Sequence, residues 1–188
     1  MSGALRTSRL LLRPWHDEDI SGFAEMSADP AVMEYLLPFS ERGLSVEDWV
    51  ARARAHRDEH GFGQWVVQLP GAASFIGVVG LGVVSYQAPF TPAVEVAWRL
   101  ARAYWGGGYA TEAAKAALAY GFDELALDEI VALTVPLNQR SRRVMERLGM
   151  TRSPADDFDH PRLPEGPLRR HVLYRLRNPK AGSQVSSR

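Results

Sequence analysis

Three consecutive glycines, Gly106, Gly107 and Gly108, stand directly before the strongly helical run "YATEAAKAALAYGF". The first turn of a helix carries unpaired N–H groups and about half a positive charge. Glycines ahead of it let backbone reach an anion with no Cβ in the way. Residues 106–111 supply such donors, and Thr111 adds a hydroxyl, so the stretch reads as a phosphate cradle or as a glycine turn with no ligand. It is neither a P-loop, which would end in Gly-Lys-Ser/Thr, nor a dinucleotide fingerprint, since Ala110 and Thr111 stand where the third glycine belongs. Two other places could carry chemistry. Glu95 sits alone among apolar neighbours on an alternating stretch, and Asn138 and Ser141 share the first turn of a later helix with Arg140, Arg142 and Arg143 nearby. Each also has a plain structural use: an ion pair or simple exposure for Glu95, an N-cap for Asn138, a solvated basic face for the arginines.

The elements that must position these groups alternate in period. "RLLLRP" predicts a short strand stopped by Pro14, residues 17–28 a helix, and Ser45 with Asp48 a capping box opening a helix to about His60. Strands follow at 63–69 and 73–84. In "AVEVAWRL" Val94, Val96, Trp98 and Leu100 share one face, with Glu95, Ala97 and Arg99 on the other. The glycine loop then leads into a helix from Tyr109 to about Phe122. A β-branched strand at 129–135 ends at Pro136, a helix runs over 138–149 with Asn138 as N-cap and Gly149 as stop, and 169–176 closes as a strand. The proline-rich segment 153–168 is expected to be a long loop. Strands first, then strands alternating with helices, indicate an α/β or α+β domain.

Composition bounds the function. The 188 residues carry 22 basic and 22 acidic side chains, a formal net charge of zero. With no net field and no stacking platform, nucleic acid is not an expected partner. The absence of cysteine excludes disulfides and a thiolate nucleophile, and the histidines lack metal-ligand spacing, so no metal is expected. No apolar stretch approaches a membrane span, and the three leucines near the start are too few for a signal-peptide core. The expectation is a cytoplasmic protein without a membrane partner, monomer or homodimer, with one domain over residues 1–178 and a disordered tail over 179–188.

Two motifs together identify a likeness. "YWGGGYATEA" and "NQRSRRVMERLGM", which follows the strand and Pro136 that lie about 25 residues beyond the loop, resemble the Gcn5-related N-acetyltransferase (GNAT) superfamily, in the branch resembling ribosomal-protein N-terminal acetyltransferases. The family's acyl-CoA loop, Gln/Arg-x-x-Gly-x-Gly/Ala, is matched at Gly108 and Ala110, with Trp105 in the polar first position. Its later motif is matched at Asn138, Ser141, Leu148, Gly149 and Met150. The resemblance implies a central mixed twisted sheet of about six to seven strands flanked by about four helices, and acetyl-CoA as cofactor. It places the diphosphate on residues Trp105, Gly106, Gly107, Gly108, Tyr109, Ala110 and Thr111, and pantetheine along Trp98, Arg99 and Leu100 and near Asn138. Gly107, where relatives often carry a larger residue, is expected to be the replaceable glycine.

The implied reaction is acetyl transfer to a primary amine, on a protein N-terminus or a small molecule, by direct attack in a ternary complex. An α-amine with pKa about 8 is roughly a tenth neutral at pH 7, so a carboxylate base suffices. Glu95 is the expected base, directly or through water, and the N–H near Trp98 the oxyanion donor. Many relatives protonate the leaving thiolate with a tyrosine seven residues after the asparagine; Met145 stands there, and the branch suggests Ser141 instead. Tyr174 and His171 are weaker candidates. Family geometry points to Tyr35, Phe39, Asp157 and Asp159 as an aromatic and acidic pocket for the acceptor. The alternative is an acyl-CoA-binding module of the same fold without catalysis.

Overall fold

The alternating periods resolve into nine strands and five α-helices in a computed structural model that describes residues 3–181. In chain order these are β1 (Leu5–Arg6), β2 (Leu11–Arg13), α1 (Asp19–Ala28), α2 (Pro30–Met33), α3 (Val46–His60), β3 (Gln64–Leu69), β4 (Ala73–Val83), β5 (Val94–Leu100), α4 (Tyr109–Asp123), β6 (Glu129–Thr134), α5 (Gln139–Arg147), β7 (Thr151–Arg152), β8 (Phe158–Asp159) and β9 (Arg170–Arg177). They fall into two compact units, and the chain passes from one to the other after Gly82 and within β5 and α4.

The first unit runs to Gly82 and takes in Ala97–Ala117. Strands β1 to β4 form an antiparallel meander, with Leu12 opposite Val67 and Trp65 opposite Val79. Helix α3 starts at the expected capping box, Ser45 Oγ accepting from Asp48 N at 3.0 Å and Asp48 Oδ2 accepting from Ser45 N at 2.9 Å. Helices α1 and α3 bury Phe23, Met26 and Val50 with Trp15 and the strand residues Val66 and Val78. Trp49 stacks on Phe23 at 4.5 Å between ring centroids. The buried Asp19 at the start of α1 is paired twice by Arg13 of β2, each bond 2.7 Å, which ties helix to sheet.

The second unit comprises Val83–Val96 and the chain from Leu118. Strand β5 begins parallel to β6, with Glu95 opposite Val131. Strand β6 pairs antiparallel with β9 over six rungs, from Glu129–Arg177 to Thr134–Val172. Val131, Phe158 and Leu173 form a core closed by Tyr86, Phe90 and Leu133. The segment expected to be one long loop instead holds a 3-10 turn over Pro154–Asp156 and β8, which pairs with β9. Phe158 is the reason: it buries its ring in this core and draws its backbone onto the edge of β9. The strands β1, β7 and β8, two residues each, come in addition to those expected.

Of the expected tail, residues 182–188 lie outside the described residues. Residues 179–181 form a turn in which Lys180 Nζ pairs with Asp123 at 2.7 Å. No helix among the described residues is long and apolar enough to cross a membrane, and among them no group of three or more His, Asp or Glu could hold a metal ion.

Candidate active site

The glycine loop is shaped by two left-handed residues. Gly106 has φ +80° and Gly108 φ +78°, a region that L side chains enter at a cost of about 1–2 kcal/mol. A Cβ built on Gly106 would meet nothing within 4 Å, so its backbone faces open space. The first helical bond of α4 is Glu112 N to Gly108 O at 3.0 Å, which leaves the N–H groups of Tyr109, Ala110 and Thr111 without an intrahelical acceptor. Exposed turn, free N–H groups and helix dipole fit a diphosphate. Gly107 has an ordinary φ that any residue can adopt, while a Cβ there would sit 2.8 Å from Tyr109 Cε2, so a side chain needs that ring to shift. Tyr109 is folded back under Arg9, whose guanidinium lies 4.5 Å from the ring centroid, so the space expected beside Gly107 is filled by that ring.

Arg9 is a loop residue that sequence reasoning missed. Its Nη1 donates to Gly107 O at 2.9 Å and its Nε to Glu112 Oε2 at 2.7 Å. Glu112 also accepts from Thr7 Oγ1 at 2.6 Å, Ser8 Oγ at 3.1 Å and Arg9 N at 2.9 Å. Burial alone would raise the Glu112 pKa, but the bonds from Thr7 and Arg9 hold it below its ordinary value. The acid is therefore spent on the Thr7–Arg9 segment, and it pins that segment across the loop. Trp105 fixes the other end: its Nε1 donates to Leu100 O at 2.8 Å, and its ring packs against the core. At the position where the resemblance implies a polar side chain, this chain uses an indole to lock the loop to β5.

On β5, Leu100 is buried, and Trp98 is partly exposed in the first unit. The Arg99 guanidinium lies 5.5, 5.6 and 5.7 Å from the rings of Phe23, Phe39 and Trp49. Phe39, expected at the acceptor pocket, thus belongs to this cation–π cluster, and Tyr35 lies in the same unit.

In the second unit, Glu95 is partly buried and makes no hydrogen bond or ion pair with any described residue. Among the described residues no arginine pairs with it. Burial pushes its pKa up to about 7. At the start of α5, Asn138 Oδ1 accepts from Ser141 N at 3.2 Å, while Asn138 Nδ2 donates to Thr134 Oγ1 at 3.0 Å and to Ser141 Oγ at 3.1 Å. Asn138 is the predicted N-cap and also the orienter of Ser141. Met145 is buried in the core. Tyr174 OH donates to Glu146 and accepts from Arg142, so this hydroxyl is engaged. His171 is buried, which lowers its pKa. The two acids expected at the acceptor pocket are already paired, Asp157 with Arg152 and Asp159 with Arg170 at 3.2 Å.

Comparison with known proteins matches the shape of this chain. A family model described as an acetyltransferase (GNAT) domain matches residues 9–151. The chain is 33% identical over 147 residues to the uncharacterized protein YkkB of Bacillus subtilis, covering 78% of this chain and 84% of that one. It is 32% identical over 155 residues to the FsC-acetyl coenzyme A-N(2)-transacetylase of Aspergillus fumigatus, covering 78% of this chain and 64% of that one. Among solved structures, an acetyltransferase from Agrobacterium tumefaciens superposes with a TM-score of 0.73 at 28% identity, covering 94% of this chain and 95% of that one.

Proposed function

Because the chain belongs to the GNAT acetyltransferase family, we propose that it acetylates a primary amine by direct attack in a ternary complex, with Glu95 as base and Ser141 as the group that serves the leaving sulfur. Acetyl-CoA is the family's donor and supplies an acyl carbon activated as a thioester. The turn from Gly106 to Thr111 offers its N–H groups to the diphosphate, and Arg9 and Trp105 hold that turn in shape. Main chain at Trp98, Arg99 and Leu100 offers the pantetheine arm strand-like hydrogen bonds.

The observation that carries the reading is Glu95: a carboxylate with no partner among the described residues, its pKa pushed up to about 7. A base poised there takes a proton from an incoming ammonium near neutral pH. The freed nitrogen bonds to the acetyl carbon and the C–S bond breaks. One nitrogen proton leaves through Glu95 to solvent, and the other balances the thiol. Ser141 accepts from Asn138, so its own hydrogen is left to donate to the departing sulfur. The likeness to the ribosomal-protein branch at Asn138 and Ser141 favours an α-amine as acceptor, a group that demands less of the base than a lysine does.

The test is thiol release from acetyl-CoA over a panel of α-amines and polyamines, for wild type, Glu95→Gln and Ser141→Ala. Turnover that falls in both variants supports the assignment. Acetyl-CoA binding without thiol release for any amine would contradict it and leave a binding module.

A further inference from the structure

The loop from Val84 to Pro92, between β4 and β5, walls an open cleft of about 510 Å³ in the second unit, closed on its other side by Pro161 and Arg162. The loop is stitched to itself: Thr91 Oγ1 accepts from Ala88 N at 3.0 Å and donates to Ala88 O at 2.9 Å. Arg162 is held in place by Ser85, its Nη1 donating to Ser85 Oγ at 3.0 Å and its Nη2 to the Ser85 carbonyl, and it lies 5.7 Å from the Tyr86 ring centroid. Two of its five N–H groups are used there, and no carboxylate among the described residues pairs with it. A fixed, uncompensated guanidinium on a cleft wall suits an anion that can take a forked pair of hydrogen bonds.

Tyr86 gives the second, independent observation. Its hydroxyl is buried and has no hydrogen-bond partner among the described residues, a state that costs on the order of 1–3 kcal/mol until a ligand or water meets it. The phenol is pushed up first by burial and then by the charge of Glu95, while Arg162, beside the ring, acts the other way. Cation and unsatisfied hydroxyl therefore line one cleft, and the charge of Glu95 acts on the same phenol.

We propose that this cleft selects a small α-amine acceptor that carries a carboxylate, an amino acid or short peptide, with Arg162 pairing the acceptor's carboxylate and the Tyr86 hydroxyl donating to it. The inference rests on Glu95 receiving the amine, and it narrows the acceptor from any primary amine to one bearing an anion. The acidic pocket that would suit a polyamine finds no support in the pairing of Asp157 and Asp159.

The probes are glycylglycine, glycylglycinamide and O-phosphoethanolamine as acceptors, with N-acetylglycylglycine and its amide as product-like ligands for calorimetry. One forked ion pair predicts kcat/KM about 10-fold higher, or more, for glycylglycine than for its amide. The preference should vanish in Arg162→Gln and return in part in Arg162→Lys. Binding of N-acetylglycylglycine over its amide should follow the same order, and this readout needs no turnover. Amine turnover with no preference for the free acid, or a preference that survives Arg162→Gln, overturns the inference and leaves the acetyltransferase reading intact. Absence of turnover together with Arg162-dependent binding of N-acetylglycylglycine supports the anion site and overturns the reading of Glu95. A preference for O-phosphoethanolamine over both glycine compounds overturns the carboxylate assignment.

Discussion

Asn138 Nδ2 donates to Ser141 Oγ at 3.1 Å while Asn138 Oδ1 accepts from Ser141 N at 3.2 Å, so one cap residue grips both ends of one serine. A hydroxyl that accepts from an amide is left with its hydrogen free. The second Asn138 donor goes to Thr134 Oγ1, and the amide orientation is fixed by Ser141 N, which can only donate and so needs Oδ1 facing it.

The first prediction follows from that grip. Ser141→Ala should lower kcat about 10²-fold, the range of general acid catalysis, with little change in acetyl-CoA affinity. Asn138→Ala should lower kcat in the same way and also destabilise α5 by about 1 kcal/mol through loss of its cap. Steady-state kinetics with thermal unfolding checks both. Unchanged kcat in Ser141→Ala would remove the serine from the chemistry.

A second prediction concerns Arg9. Arg9→Ala frees the Gly107 carbonyl and strips Glu112 of its cation, so the loop loses its clamp. Acetyl-CoA affinity should fall about 10-fold, the worth of one or two charge-assisted hydrogen bonds, with kcat at saturating donor nearly unchanged. Glu112→Gln should do less, because the amide oxygen can still accept from Thr7 and Ser8. Calorimetry with coenzyme A is the measurement, and equal affinities in wild type and Arg9→Ala would sink the clamp.

The glycine triplet gives a third. Gly108→Val imposes left-handed strain of about 1–2 kcal/mol and adds bulk to the turn proposed to hold the diphosphate, so coenzyme A binding should weaken by at least about 10-fold. Gly107→Ala carries no such strain, but it must displace the Tyr109 ring from beneath Arg9. Its effect should be intermediate, a few-fold, and should disappear in a Tyr109→Ala background. A loss for Gly107→Ala as large as for Gly108→Val would mean that the ring, rather than the backbone, shapes the loop.

Much of this fold was legible because its long elements are written in local pattern. The capping box of α3, the alternation of β5 and the Asn138 cap of α5 are each decided by residues within a few positions of one another. The strands β1, β7 and β8 were not, since two residues carry no period and pair only because β2 and β9 offer edges. The site divides the same way. The glycine loop and the Asn138–Ser141 pair are local; the bond from Arg9 to Glu112 spans 103 positions, and nothing near Arg9 announces it. The cleft around Tyr86 was invisible for the same reason, since Arg162 reaches Ser85 across 77 positions.

Glu95 bears a stability cost that can be read separately from its chemistry. Its pKa stands at about 7 against an ordinary 4.5, so the folded protein holds this proton more tightly than the unfolded chain does. The unfolded state therefore binds fewer protons between those values, and stability declines as pH rises from about 4.5 through 7. Glu95→Gln removes the buried charge. It should stabilise the protein at pH 8 by on the order of 2–3 kcal/mol, raising Tm by several degrees, and should change little at pH 4.5. Equal Tm shifts at both pH values would show that the carboxylate is not held out of water.

The most direct test of the central claim is the pH dependence of kcat/KM for acetyl transfer to an α-amine, in wild type and Glu95→Gln. The wild-type rate should fall below about pH 7 as Glu95 takes up its proton. In Glu95→Gln the rate should be at least about 10²-fold lower, and the inflection near 7 should be gone. A Glu95→Gln enzyme that keeps both the rate and the inflection would contradict the assignment of Glu95 as base.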